Sequence, residues 1–270
     1  MIVCGHTKVE KIHGKWKVRI DKKIGYSLGL FAGQTLFGAC EEPNRLFLST
    51  IKLNPHVSYF QLFMEDIRGS LAKVTRLFSE KGVNILSGGA FGFGNIWVSE
   101  LIADFKNVEA SPEDIIGEIQ SLGGFVTFRE ITELFPRSFE LSETYTVELG
   151  RPDDMCLLLP KIPDENTSYA ILKAWPRVQA LFVDFYTPEN RLLKIHAKIR
   201  DIPGSLNSLA ELLKTQVNLI AIDERHHDEE SGEWNIYGVL EIGSLRELRE
   251  RAGKVSTITG LDLEPLGWEE

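Results

Sequence analysis

Two stretches of this chain, residues 58–105 and 192–242, repeat one pattern, and internal repetition constrains a fold more than any single motif. Gly69-Ser70-Leu71 recurs as Gly204-Ser205-Leu206, an offset of 135 residues. Asn84 answers to Asn218 after a one-residue deletion, and Asn95-Ile96-Trp97 to Asn235-Ile236-Tyr237 across a longer turn. Each copy opens on alternating apolar residues, Phe60, Leu62, Met64 or Ile195, Ala197, Ile199, the mark of a half-buried strand. An Asp-x-x-Gly-Ser-Leu turn follows. It leads into helical spacing at Leu71, Val74, Leu77 and Phe78, or at Leu206, Leu209, Leu212 and Leu213, and then into a strand pair.

A second helix and a last strand complete each copy. Ser111-Pro112-Glu113-Asp114 has an N-cap, a proline at the first helical position and acids that complement the dipole. Gly123-Gly124 ends that helix before the strand FVTFREI, while Ser244 opens SLRELRERAGKV before LDLEPL. Both copies therefore predict β-α-β-β-α-β, the ferredoxin-like order. The expected class is α+β: two such domains, 56–135 and 191–270, with a small hairpin-rich N-terminal arm.

Asp66-Ile67-Arg68-Gly69-Ser70-Leu71 with Gly82-Val83-Asn84-Ile85, and Asp201-Ile202-Pro203-Gly204-Ser205-Leu206 with Val217-Asn218-Leu219, resemble the ACT domain family. Arg68 stands where that pattern has Pro, and Gln216 where it has Gly. The resemblance implies amino-acid binding where this turn meets a neighbouring ACT domain. The residues themselves support such chemistry. Gly69 and Gly204 let the backbone enter a helix tightly, and the first-turn N–H groups there have no intrahelical acceptor. A carboxylate is stabilised at such an end, an ammonium could pair with Asp66 or Asp201, and Asn84 or Asn218 both donates and accepts. The expected ligand site is thus Asp66, Gly69, Ser70, Leu71 and Asn84, and Asp201, Gly204, Ser205, Leu206 and Asn218. A purely architectural turn, with Asp capping the helix and Asn starting a strand, is the alternative.

Residues 1–55 form the arm. Lys15 to Ile20 alternates as a strand, Asp21 can cap a short turn from Lys22 to Leu28, and Thr35–Cys40 pairs with Arg45–Ile51. The Gly-x-x-x-Val strand, the KKI turn, Leu28-Gly29-Leu30 and the acidic hairpin resemble the swapped-hairpin domain of AbrB and SpoVT, in which two chains interleave hairpins. That resemblance implies DNA binding and an obligate partner chain. Residues 1–58 hold nine Lys/Arg against four Asp/Glu, a net +5 that leaves −14 for the rest. Lys15, Lys17, Arg19, Lys22 and Lys23 are the candidate phosphate contacts, with little base readout from lysine. A docking or dimerisation module without DNA is the other reading. Residues 136–190 form a β-rich linker that faintly echoes the arm: Asp164, Tyr169, Pro188 and Arg191 answer to Asp21, Tyr26, Pro43 and Arg45 once gaps are allowed.

The remaining features narrow the function classes. At 43% hydrophobic and 26% charged the composition is globular, and no run supplies the ~20 apolar residues of a membrane helix. The start lacks a signal-peptide pattern. Cys4, Cys40 and Cys156 are odd in number and far apart, which suits a reducing cytoplasm and excludes a disulfide scaffold. Asp223–Glu230 carries metal-ligand residue types, but adjacent strand residues such as His226 and His227 face opposite ways, so a solvated hairpin tip is expected. The glycine-rich Gly88–Gly94 lacks the Lys-Ser/Thr of a phosphate loop. No nucleophile–base motif appears. The expectation is a non-catalytic regulatory homodimer or higher homo-oligomer, without cofactor or metal. It binds an amino acid or similar metabolite at ACT interfaces and responds through DNA; the alternative is a regulatory partner of an amino-acid biosynthetic enzyme.

Overall fold

The computed structural model describes residues 2–41, 44–130, 143–149, 155–228 and 230–269. The first half of the chain supplies β1 (Val3–Ile12), β2 (Lys15–Arg19), α1 (Lys22–Ser27), β3 (Thr35–Glu41) and β4 (Arg45–Ser49). It continues with β5 (Val57–Glu65), α2 (Ser70–Glu80), β6 (Asn84–Phe93), β7 (Ile96–Asp104), α3 (Pro112–Ser121) and β8 (Phe125–Glu130). The second half supplies β9 (Glu143–Leu149), β10 (Met155–Leu159), β11 (Tyr169–Trp175) and β12 (Ala180–Tyr186). Then come β13 (Leu192–Arg200), α4 (Ser205–Leu213), β14 (Val217–His227), β15 (Ser231–Leu240), α5 (Leu245–Ala252) and β16 (Ile258–Pro265).

Strands β5 to β8 form an antiparallel sheet in the order β6-β7-β5-β8, and β13 to β16 form one in the order β14-β15-β13-β16. Each has two helices on one face, giving two β-α-β-β-α-β units. The alternation read from the sequence aims Phe60, Leu62 and Met64 at Val74, Phe78, Ile115 and Ile119. In the second unit Ile195, Ala197 and Ile199 meet Leu209, Leu213, Leu245 and Leu248. Each such fully buried side chain contributes roughly 1.5–3 kcal/mol. Serine capping boxes start α3 and α5, from Ser111 and Ser244.

The arm and the linker are not separate pieces. Their eight strands close one barrel in the order β1-β11-β12-β4-β3-β9-β10-β2. Hairpins β1–β2 and β3–β4 come from the first half, β9–β10 and β11–β12 from the second, and the two sources alternate around the ring. Exchanging β1–β4 for β9–β12 maps every neighbouring pair onto another. The barrel therefore closes within one chain, and hairpin exchange does not itself demand a partner. Trp16, Val18, Leu46, Leu48, Leu157 and Val183 fill it.

Strand registers also correct two alignments. Phe47 faces Phe182 across β4 and β12, so these rings, and not Arg45 with Arg191, are the equivalent pair. Their offset of 135 continues through Phe60↔Leu101 and Ile195↔Ile236. At that offset Asn95-Ile96-Trp97 lies opposite Glu230-Ser231-Gly232 and not opposite Asn235-Ile236-Tyr237.

Each sheet turns its helix-free face to the barrel. Val57 and Ile102 meet Phe47, Val178 and Ala180 on one side. On the other, Leu192, Tyr237 and Leu266 meet Cys4, Ile171 and Tyr186. Lys23 on α1 pairs with Asp223 on β14 at 3.2 Å, and the Cys4 amide donates to the same carboxylate oxygen at 3.4 Å. Among the described residues no helix is long and apolar enough to cross a membrane.

Candidate functional site

The two turns have one backbone. Gly69 (φ 94°) and Gly204 (φ 89°) occupy the left-handed region, which favours glycine, and neither α2 nor α4 receives a side-chain cap. The amide of Ser70 donates to Ile67 O at 3.1 Å, and that of Ser205 to Ile202 O at 3.2 Å. Asp66 and Asp201 stand beside the turns without capping them, which removes the capping role as their explanation.

What surrounds the turns differs. In the first unit the Ser70 hydroxyl donates to Glu65 O at 3.0 Å and Ile67 O at 2.9 Å. Trp97 on β7, beside the turn, is only 7% exposed and belongs to the helix-side core with Met64 and Phe78. In the second unit Gly232 takes the place of Trp97. A cleft of about 240 Å³ opens there, lined by Asp201, Ile202, Gly204, Ser205, Gly232 and Trp234. Ser205 is 3% exposed, yet its Oγ has no hydrogen-bond partner, and neither has the buried Nε1 of Trp234. Trp234 Nε1 lies 3.1 Å from where a Cβ on residue 232 would stand, so the glycine brings the indole edge to the cleft. Buried polar groups are ordinarily satisfied. Two that are not, at an uncapped helix start, form a set of donors awaiting an acceptor.

Leu71 and Leu206 are exposed rim residues, at 51% and 43%, beside the similarly exposed Ile67 and Ile202. Asn84 and Asn218 do not join the turns. Asn84 pairs with Asp104, which pairs with Val57 at the start of β5, whereas Asp66 follows the far end of that strand. Asn218 pairs with Val239 beside Leu192, again at the opposite end from Asp201. At ~3.3 Å per strand residue the separation is roughly 30 Å. The single pocket expected for aspartate, turn and asparagine of one copy is therefore split. Sequence reasoning overlooked Gly232 and Trp234, which become visible when the repeats are aligned at a constant 135.

Three of the five candidate nucleic-acid residues, Lys17, Arg19 and Lys23, stand beside acids. Lys15, Lys17 and Arg19 lie on β2, but Lys17 is buried at 9% exposure and stands beside Glu10 in the ladder. Arg19 is 3.8 Å from Glu10, and Lys23 is committed to Asp223. Arg19 and Lys22 border a cleft of about 550 Å³ together with Glu10, Asp21 and Glu264, so its charge is mixed. His6 lines the same cleft; burial, reinforced by Lys194, lowers its pKa. Burial and Asp223 push the Cys4 thiol up to about 12, which keeps it protonated and unreactive at neutral pH. Among the described residues no group of three His, Cys, Asp or Glu side chains is placed to hold a metal. The side chains of residues 224–227 and residue 229, most of the acidic hairpin tip, lie outside the described ones.

No family model and no curated protein matches the chain. Among solved structures, a protein of unknown function from Galdieria sulphuraria is 9% identical over 78% of this chain and 98% of its own, with a TM-score of 0.32. A protein assigned as a glycine cleavage system transcriptional repressor is 9% identical over 78% and 98%, with a TM-score of 0.28. The small subunit of acetolactate synthase from Thermotoga maritima is 13% identical over 77% and 93%, with a TM-score of 0.18. Likeness of this size carries no functional argument.

Proposed function

We propose that the protein is a non-catalytic regulatory protein of two ACT-type ferredoxin-like domains on a swapped-hairpin barrel, and that it binds an amino acid at the Asp201 turn. The observation that carries this is the pair of buried, unpartnered donors, Ser205 Oγ and Trp234 Nε1, at the uncapped start of α4. Together with the first-turn amides they suit a carboxylate. Asp201 supplies the opposite charge for an ammonium, and Ile202 and Leu206 offer apolar contact to a side chain. The exposed aliphatic rims of both turns favour a second copy as their cover, as homodimer or higher homo-oligomer.

We restrict ligand binding to the second turn, because Trp97 fills the corresponding place in the first. We assign the basic residues of β2 and α1 to the barrel and its seam with the second unit, where Glu10 and Asp223 answer Arg19 and Lys23, and not to DNA contact. Isothermal titration against the twenty amino acids tests the assignment, with Gly232→Trp as the filled-cleft control. Heat from at least one amino acid, lost in the control, supports it. No heat from any of them with folded protein removes the ligand and leaves a docking subunit.

A further inference from the structure

The helix-free face of the first sheet carries a row of side chains beyond the barrel contact. Phe91 on β6, Val98 on β7, Phe63 on β5 and Phe125 on β8 are paired in register across all four strands. Phe63 alternates with Leu62 and Met64, which face the helices, so the whole row points the other way. Phe91 and Phe125 are each 60% exposed, and Ile96, one row outward, is 44% exposed. One row inward, Glu100 meets Arg177 of the β11–β12 turn at 3.3 Å, so the apolar row starts where that interface stops. The second unit shows that the fold does not require an apolar row. At the offset of 135 the same positions hold His226, Glu233, Lys198 and Gly260, and Glu233 stands 3.8 Å from Lys198. The fold accepts charge there, and an exposed apolar band without a fold-level reason marks a contact surface.

Charge and area select the occupant. The chain carries a net −9, so two copies repel one another except where charge is absent, and none of the four row residues is charged. That net charge, with Glu65 and Glu100 flanking the row, disfavours an anionic membrane surface. The open parts of Phe91, Phe125 and Ile96 come to roughly 300 Å², taking about 200 Å² for a whole side chain. That is more than a third of the ~800 Å² each partner gives to a standard interface, an apolar centre for a polar rim of Gln61, Thr127 and Glu65. We propose that this row packs against the same row of a second copy, sheet face to sheet face, about a two-fold axis running across the strands. An axis along the strands would drive the two barrels into one another, because each stands on the inner half of this face. An axis across them sends the barrels to opposite ends, and each row residue meets its own counterpart. Glu65, one row outward, then falls opposite Gln61, and Ile96 opposite Glu100, whose charge Arg177 answers. This contact is separate from the cover of the turn rims, and neither needs the other.

Sedimentation of the full chain tests this, with circular dichroism as the check on folding. The wild type should self-associate, and Phe125→Lys and Phe125→Glu should each weaken association at least tenfold. Because Phe125 meets its own copy, an equal mixture of the two variants should associate at least tenfold more tightly than either alone. That rescue should persist when Leu71→Lys and Leu206→Lys, at the turn rims, are added to both chains. A folded wild type that stays monomeric at high micromolar concentration overturns the proposal and leaves the row to a foreign partner. Association untouched by either Phe125 variant, or lost with the turn-rim substitutions alone, puts the second copy elsewhere and overturns it too. So does a mixture of folded variants no tighter than its parts. If a Phe125 variant does not fold, Phe91→Lys and Phe91→Glu take its place, since Phe91 is equally exposed and meets its own copy in the same way.

Discussion

The glycine turns of the two units have the same backbone and opposite fillings. Above the first, Trp97 is built into the core and the Ser70 hydroxyl is spent on carbonyls. Above the second, Gly232 leaves the space open and Ser205 keeps its hydroxyl unsatisfied. Both sheets bury a tryptophan edge near the turn, at positions two residues apart in the shared register. In a duplicated fold, a single large side chain thus decides whether the space beside a glycine turn is filled or open.

Replacing the wall residues would break this contrast. Trp97→Gly should cost the most, about 3–5 kcal/mol as for other large-to-small core changes, read from urea unfolding. If the variant folds, added binding stoichiometry would show that the first turn is competent once emptied; unchanged stoichiometry would show that Ser70 alone closes it. Gly232→Trp should abolish amino-acid heat and lower the melting temperature modestly, because even its Cβ would stand 3.1 Å from the buried Nε1 of Trp234 and the indole must shift. Asp201→Asn should weaken binding roughly tenfold, about 1.4 kcal/mol, by loss of a charge-assisted contact. An unaltered affinity would remove the ammonium from the site.

Two smaller effects sharpen a second difference, the ion pair that ties the barrel to the second unit. Lys23→Ala leaves Asp223 buried beside a neutral neighbour, and because Lys23 is half exposed the loss should be only about 1 kcal/mol. His6 at the same seam has its pKa lowered by burial, so the folded state binds its proton less readily than the unfolded chain. Stability from neutral His6 is then complete above about pH 6.5 and declines as the pH falls below it. His6→Gln should flatten that decline in unfolding curves recorded from pH 7.5 to 5; an unchanged slope would assign the decline to other groups.

The repeated units were legible because their hydrophobic period switches from two to helical and back, twice in register. The turns were legible for the same reason, since glycine before a helix has few other uses. The barrel was not, because β1 pairs with β11 and β3 with β9 across more than a hundred residues, and local patterns hold no record of such partners. The cleft was concealed by an attractive coincidence. Asn-Ile-Trp and Asn-Ile-Tyr look like counterparts, and aligning on them hid the exchange of Trp97 for Gly232. Asn84 and Asn218 were misplaced because a strand's start and its neighbour's turn are adjacent in sequence but lie at opposite ends of a sheet.

Alternating hairpins have a consequence for how the molecule is made. A nascent chain that has left the ribosome as far as residue 135 holds four barrel strands, all with at least one neighbour still unsynthesised. Those edges stay open until β12 emerges, and closing such distant contacts is slow. Because either half offers the edges that the other needs, residues 1–135 produced alone should associate in pairs, two copies rebuilding one ring.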